Sequence, residues 1–316
     1  MVRKNSRFSR FCLSITLLAL SFFSSALFAD DDIERLFVFG DSLSDSGNAF
    51  ILTGMQSVAP FKLIPDAPYA IGGHHFTNGR TWIEQLAKKY GTTARPAFRY
   101  DGSTNFAVGG SRARNAGAVN LTTQVGLYLN QFSADLDDDD LFVIFIGGND
   151  IRDAIESFAT DPTGQTSGLI ITEALTGIQD NLTLLISSGA QNILVANAPD
   201  LSLVPAVRLQ GPQAQYISHI ISVQFNQGLE QLLAGIRAYY PVNISELDIF
   251  SLINDVITDP DEFGFEQVTN ACITPGVIVG AICKKQNEYL FWDGIHPTRK
   301  GHKLIARKAL KLLDDD

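Results

Sequence analysis

The sequence is short of cysteine, with three in 316 residues, and short of positive charge. Three cysteines cannot form the disulfide framework of a small secreted domain. The 45% hydrophobic content of a chain this long fills an ordinary core instead. Lys and Arg number 24 against 34 Asp and Glu, a formal charge of −10. No local basic patch is evident, so neither nucleic acid nor an anionic membrane surface is an expected partner. No internal repeat, Pro- or Ser-rich linker or shift in composition divides the chain.

Several ligand-binding signatures are missing too. Gly109-Gly110-Ser111-Arg112-Ala113-Arg114 does not fit the dinucleotide fingerprint, and no phosphate-loop Lys follows. His74 and His75 are adjacent, while His219 and His302 lack a second ligand four residues on, so no zinc pattern is expected. The Asp-rich run 135–140 lacks the glycine turn and distal Glu of a calcium loop and reads as a solvated turn.

The one long apolar run lies at the start. Arg3, Lys4, Arg7 and Arg10 precede an apolar stretch from Phe11 to Phe28 that closes at Ala29, the layout of a secretory signal peptide over 1–29. Small residues permit cleavage after Ala26 or after Ala29, and the run is short for a retained anchor. Cys12 leaves with it. The expected mature chain, 30–316, is a single domain with 20 basic and 34 acidic residues, secreted or periplasmic and of bacterial type. Its even pair, Cys272 and Cys283, reads as a disulfide, with two free buried thiols as the alternative.

Short continuous apolar runs at 36–39, 106–108, 141–146, 192–197 and 242–247 alternate with helical spacings at 81–90, 122–133, 171–188, 213–239 and 298–313. This predicts an α/β fold with a central, mostly parallel five-stranded sheet covered on both faces. Several strands end in Gly or polar turns, which should converge on the crevice at the sheet's C-terminal edge. The irregular stretches 51–78 and 255–291 are candidate walls for that crevice.

Those turns carry the residues that acyl transfer needs. Ser42, directly after the first strand, is a candidate nucleophile; the alternative for a Gly-Asp-Ser turn is a helix cap. In Trp292-Asp293-Gly294-Ile295-His296-Pro297-Thr298 an Asp lies three residues before a His, so one loop can supply a base, His296, and the group that orients it, Asp293. Helix capping by Asp293 or Thr298 beside a surface His is the alternative. Gly110 offers a backbone amide and Asn149 a carboxamide to a developing oxyanion, although each turn alone is also an ordinary tight turn.

Taken together, Phe39 to Asn48, Asn105 to Gly110, Gly147 to Asp150 and Asp293 to His296 resemble, in order and spacing, the GDSL lipases and esterases of the SGNH hydrolase superfamily. Phe76 to Trp82 and Asn197 to Leu201 add to the likeness. The resemblance implies a three-layer α/β/α sandwich of flavodoxin-like type and a triad of Ser42, His296 and Asp293. The amide of Ser42 would join Gly110 and Asn149 in the oxyanion hole, and neither metal nor organic cofactor is implied. Asp45 and Asp150 would order turns rather than react. Gly-x-Ser-x-Gly is absent around Ser42, which argues against the α/β-hydrolase elbow. The expected substrate is a small-molecule or lipid ester, with lipid and lysophospholipid esters favoured by the partly apolar wall segments, and with transient contact with membrane lipids. Acyl transfer to an alcohol, deacetylation of carbohydrate and ligand binding without turnover are the alternatives.

Overall fold

Strand β1 (Arg35–Gly40, RLFVFG) is buried from Leu36 onward, and β2 (Asp140–Phe145, DLFVIF) along its whole length. A strand with no polar face is stable only inside a sheet covered on both sides. With β3 (Asn192–Ala196) and β4 (Asn243–Leu247) these strands pair in the order β1-β2-β3-β4, every pair parallel, with Phe37 opposite Phe142 and Val143 opposite Leu194. The computed structural model describes Met1 and residues 33–52, 75–99, 102–132, 136–273 and 282–315. The expected leader, most of the 51–78 segment and residues 274–281 lie outside the described residues.

The fifth expected strand, 106–108, is a correction. It follows the outer edge of β1, with Phe106 N donating to the Val38 carbonyl at 2.7 Å and Val108 N to that of Gly40 at 3.1 Å. Its ladder is limited to an isolated bridge between Val38 and Asn105. The reason is local competition for the next rung: Gly40 N, which would donate to the Phe106 carbonyl, donates instead to the Gln124 side chain at 2.8 Å. Among the described residues the main sheet therefore has four strands and one hydrogen-bonded edge segment. The chain passes from β1 to this segment on one side and returns to β2 on the other, which puts a topological switch point at the C-terminal ends of β1 and β2.

Five helices occupy the expected places: α2 (Trp82–Lys89), α3 (Leu121–Phe132), α5 (Gln165–Ser187), α7 (Pro212–Tyr239) and α9 (Arg299–Asp315). Four more were not anticipated: α1 (Asn48–Leu52), α4 (Gly148–Glu156), α6 (Pro205–Arg208) and α8 (Ile249–Thr258). They begin inside polar or glycine turns and run for ten residues or fewer, too short for periodicity to declare them. On α9, Lys303, Arg307 and Lys311 are exposed at four-residue spacing. This local basic stripe is hidden by the chain's net charge and corrects the expectation of none.

Aromatic packing locks α3 onto the sheet. Tyr128 meets the rings of Phe37 at 4.9 Å and Phe142 at 5.4 Å, and Phe39 stacks on Phe106 at 5.7 Å. Gly40 lies where a methyl group would overlap the Phe145 carbonyl, so glycine lets the ends of β1 and β2 approach closely. The buried Gln124 side chain holds that peptide by both its amide and its carbonyl, each at 2.8 Å.

A second, two-stranded sheet pairs β5 (Gln267–Ala271) with β6 (Tyr289–Phe291). Beside it Cys272 and Cys283 form a disulfide. Cys272 N bonds the Phe291 carbonyl at 3.0 Å and Ile273 N that of Trp292 at 2.8 Å. The loop that leads to α9 is thereby anchored just before Asp293.

Candidate active site

The turn after β1 is shaped by two buried carboxyls. Asp41 accepts from Leu43 N at 3.0 Å through its side chain, and its carbonyl takes the amides of Ser44 and Asp45. Asp45 accepts four backbone amides, from Gly47, Asn48, Ala49 and Gly109, at 2.6–3.0 Å. Its burial raises its pKa against the opposing pull of those hydrogen bonds. The bond from Gly109 ties the turn that carries Ser42 to the glycine turn. Asn48 and Asn105 add a reciprocal stitch, Asn48 donating to the carbonyls of Asn105 and Ala107 and Asn105 to that of Ser44. Ser42 is left with its hydroxyl in a cleft.

Three further donors face the same space. Gly110 adopts φ +82°, a left-handed conformation that favours glycine. Among the described residues, the amides of Gly110 and Ser42 donate to no protein group. Asn149, in the first turn of α4, donates one amide hydrogen to the Ser111 carbonyl at 2.9 Å, which fixes the carboxamide and leaves its second hydrogen uncommitted. Asp150 secures the base of this turn to the glycine turn through Ala113 N at 2.7 Å and Arg114 at 2.9 Å.

Residues 293–296 bring the fourth block. Asp293 Oδ1 accepts the amides of Ile295 and His296 at 2.8 and 2.7 Å, which curls the loop, and Oδ2 meets His296 Nδ1 at 2.8 Å. His296 Nε2 lies 2.8 Å from Ser42 Oγ. This pattern assigns Nδ1–H as donor to Asp293 and leaves Nε2 to accept the serine proton. Thr77 Oγ1 donates to the Pro297 carbonyl at 2.8 Å, Arg299 N bonds Asn78 Oδ1 at 2.7 Å, and the Phe76 ring packs 5.2 Å from the imidazole. The Phe76–Trp82 stretch thus supports the loop from outside. Asn197 accepts the amides of Ile249 and Phe250 and so begins α8, another wall of the cleft.

Charge and burial set the proton affinities. Burial alone would raise Asp293, but the charge of His296 and its hydrogen bonds outweigh it and hold the carboxyl below its ordinary value. Burial likewise opposes a charged His296, yet Asp293 and, more weakly, Asp41 raise its pKa above 6.5. Asp41, buried with no cation bonded to it among the described residues, is pushed up to about 6 by desolvation. Among the described residues no three His, Cys, Asp or Glu side chains gather to hold a metal.

The cleft has a volume of about 730 Å³, well within the range of ligand sites. Its walls are mainly apolar and include Leu43, Phe145, Ile155, Val207, Ile253 and Ile305. The expected wall segments contribute little among the described residues, Phe76 from the first and Phe291 from the second. Instead α4, α6 and α8 build the walls, because they follow strands whose C-terminal ends already face the cleft. The sequence reading missed Arg152, which also lines it; the signal was its position one helical turn after Asn149.

The chain is similar to two Arabidopsis thaliana proteins. One, a GDSL esterase/lipase, is 27% identical over 320 residues and aligns over 88% of this chain and 87% of its own. The other, GDSL esterase/lipase 6, is 25% identical over 317 residues, covering 87% and 85%. Both are plant proteins and lend no support to the expected bacterial source. Among solved structures, an acetylxylan esterase from Geobacillus stearothermophilus matches at TM-score 0.47 and 14% identity, covering 89% of this chain and 94% of that one. The GDSL-like Lipase/Acylhydrolase family model matches residues 36–309. That span takes in all four blocks gathered at the cleft, and the chain belongs to this family of hydrolases acting on esters.

Proposed function

We propose that the chain is an exported serine hydrolase that cleaves carboxylic esters of lipids through an acyl intermediate on Ser42. The observation that carries this reading is the continuous relay from Asp293 to His296 to Ser42, both links 2.8 Å long, at the mouth of an apolar cleft. The leader-like N-terminus and the disulfide support export.

In the reaction, Ser42 Oγ bonds to the ester carbonyl carbon as His296 Nε2 takes its proton. The carbonyl electron pair moves onto oxygen, which the amides of Ser42 and Gly110 and the free hydrogen of the Asn149 carboxamide receive. These donors are already oriented, so little reorganisation accompanies the charge. Asp293 stabilises the imidazolium. Collapse of the tetrahedral intermediate expels the alkoxide, which His296 protonates; a water activated by the same nitrogen then attacks the acyl-serine and releases the carboxylic acid.

The experiment is Ser42→Ala. Hydrolysis of nitrophenyl esters and labelling by a fluorophosphonate should both be abolished in the variant and present in the parent. Undiminished turnover or labelling of Ser42→Ala would falsify the assignment.

A further inference from the structure

Helix α4 carries more than Asn149 into the cleft. Gly148, Asn149, Arg152, Ile155 and Glu156 all line it, the spacing of one helical face. Arg152 lies one turn beyond Asn149, about 5 Å along the helix axis. The other charged or titratable lining residues are Asp41, Glu156 and His296, so Arg152 is the one fixed cation among the described lining residues. Its charge reaches the reacting groups, since it pulls down the pKa of both Asp41 and His296.

What distinguishes Arg152 is how little holds it. Arg112 and Arg114, on the same side of the sheet edge, are each clamped on carboxylates: Arg112 makes two bonds to Asp153, and Arg114 binds Asp150 and Asp153, at 2.5–2.9 Å. Arg152 meets Glu156 through Nε at 3.6 Å, the two side chains being 42% and 69% exposed. Among the described residues no other ion pair or hydrogen bond engages its guanidinium. Arg152 thus brings to a mainly apolar cleft a guanidinium whose terminal nitrogens are uncommitted among the described residues. In a chain whose net charge repels anions, this local cation would be misplaced for a neutral ester and apt for an anionic one.

We propose that Arg152 is the anion-recognition point of the cleft. The substrate is an ester with an apolar acyl chain and a phosphate or carboxylate on its alcohol part, a few bonds from the scissile carbonyl. The fork of Arg152 receives the anion in a bidentate manner, with Glu156 steadying Nε, while the apolar walls take the acyl chain. This rests on the ester-hydrolase reading above. It deepens that reading by naming the group that selects the substrate.

The test compares octanoyl glycerol phosphate and O-octanoyl lactate with neutral monooctanoyl glycerol, all below their micellar concentrations. The parent enzyme should favour at least one anionic ester over the neutral one by about tenfold in kcat/KM, mainly through KM. Which anionic ester is favoured separates phosphate from carboxylate as the source of the charge. Arg152→Gln should bring the ratio close to one, and Arg152→Lys should restore part of it. Added salt should erode the preference of the parent but not that of Arg152→Gln. A parent that does not discriminate, or a ratio that survives Arg152→Gln, overturns the proposal. Fluorophosphonate labelling separates the two levels: a labelled enzyme without anion preference removes this inference alone, and an unlabelled protein that turns over no ester removes both.

Discussion

Asp41 should make the protein less stable at neutral pH than it could be, and Asp41→Asn should reveal by how much. The carboxyl is buried at 3% exposure, accepts one amide and needs a pH of about 6 rather than 3.8 to ionise. Below pH 3.8 it is neutral in folded and unfolded chains alike. Between 3.8 and about 6 the unfolded chain ionises first, so stability falls as pH rises; above about 6 the loss is complete. At about 1.4 kcal/mol per pH unit the full loss is about 3 kcal/mol. Asn keeps an oxygen for the Leu43 amide and removes the charge. Urea unfolding of parent and variant from about pH 4 to about pH 8 should therefore show the variant gaining about 3 kcal/mol across that range, with the gain flat above pH 6. Parallel stability curves would refute the reasoning. Activity gives a second reading. The parent's kcat/KM should rise with pH through a midpoint above 6.5 as His296 loses its proton, and the variant's midpoint should move to lower pH because Asp41 no longer favours the imidazolium.

Asn149→Ala should lower kcat by about 10²- to 10³-fold with a smaller change in KM, because on the proposed reading its free amide hydrogen serves the transition state; an equal kcat would remove Asn149 from the proposed oxyanion hole. Replacing Cys272 and Cys283 together by Ser should cost about 2–3 kcal/mol in urea unfolding and also lower kcat, since the bridge adjoins the strand that leads into Asp293. In a series of linear acyl esters, kcat/KM should rise by up to about fourfold per methylene until the apolar cleft is filled; release of acetyl groups alone would contradict a lipid substrate.

The parts of the candidate site that use special residue types were legible in the sequence as residues that would be brought together. Ser42, Gly110, Asn149, Asp293 and His296 stand in turns where glycine and polar residues interrupt apolar runs, and a parallel sheet sends such turns to one edge. Asp45 was legible as a turn former, but its bond to Gly109, 64 residues on, was not. The walls were illegible because their residues are ordinary apolar side chains on short helices, and Ile155 or Ile253 looks like any core position until the helix is placed. The pairing of β5 with β6 escaped for a related reason: Gln267–Ala271 alternates weakly and has one buried residue, so its stability comes from the partner strand rather than its own pattern. The edge segment at 106–108 shows the reverse, an apolar run whose next ladder bond is lost because Gly40 N donates to Gln124, 84 residues away in sequence.

The bond between His296 and Ser42 spans 254 positions of chain. The turn at 41–49 is held largely by bonds within itself, whereas His296 sits in the loop between β6 and α9, a helix packed against α2 and β4. Closing so long a loop is slow compared with making the turn. Without that contact Ser42 has no proposed base within reach. On the proposed reading, hydrolytic competence depends on the longest-range contact of the site, and a chain in which that contact has not closed lacks the relay.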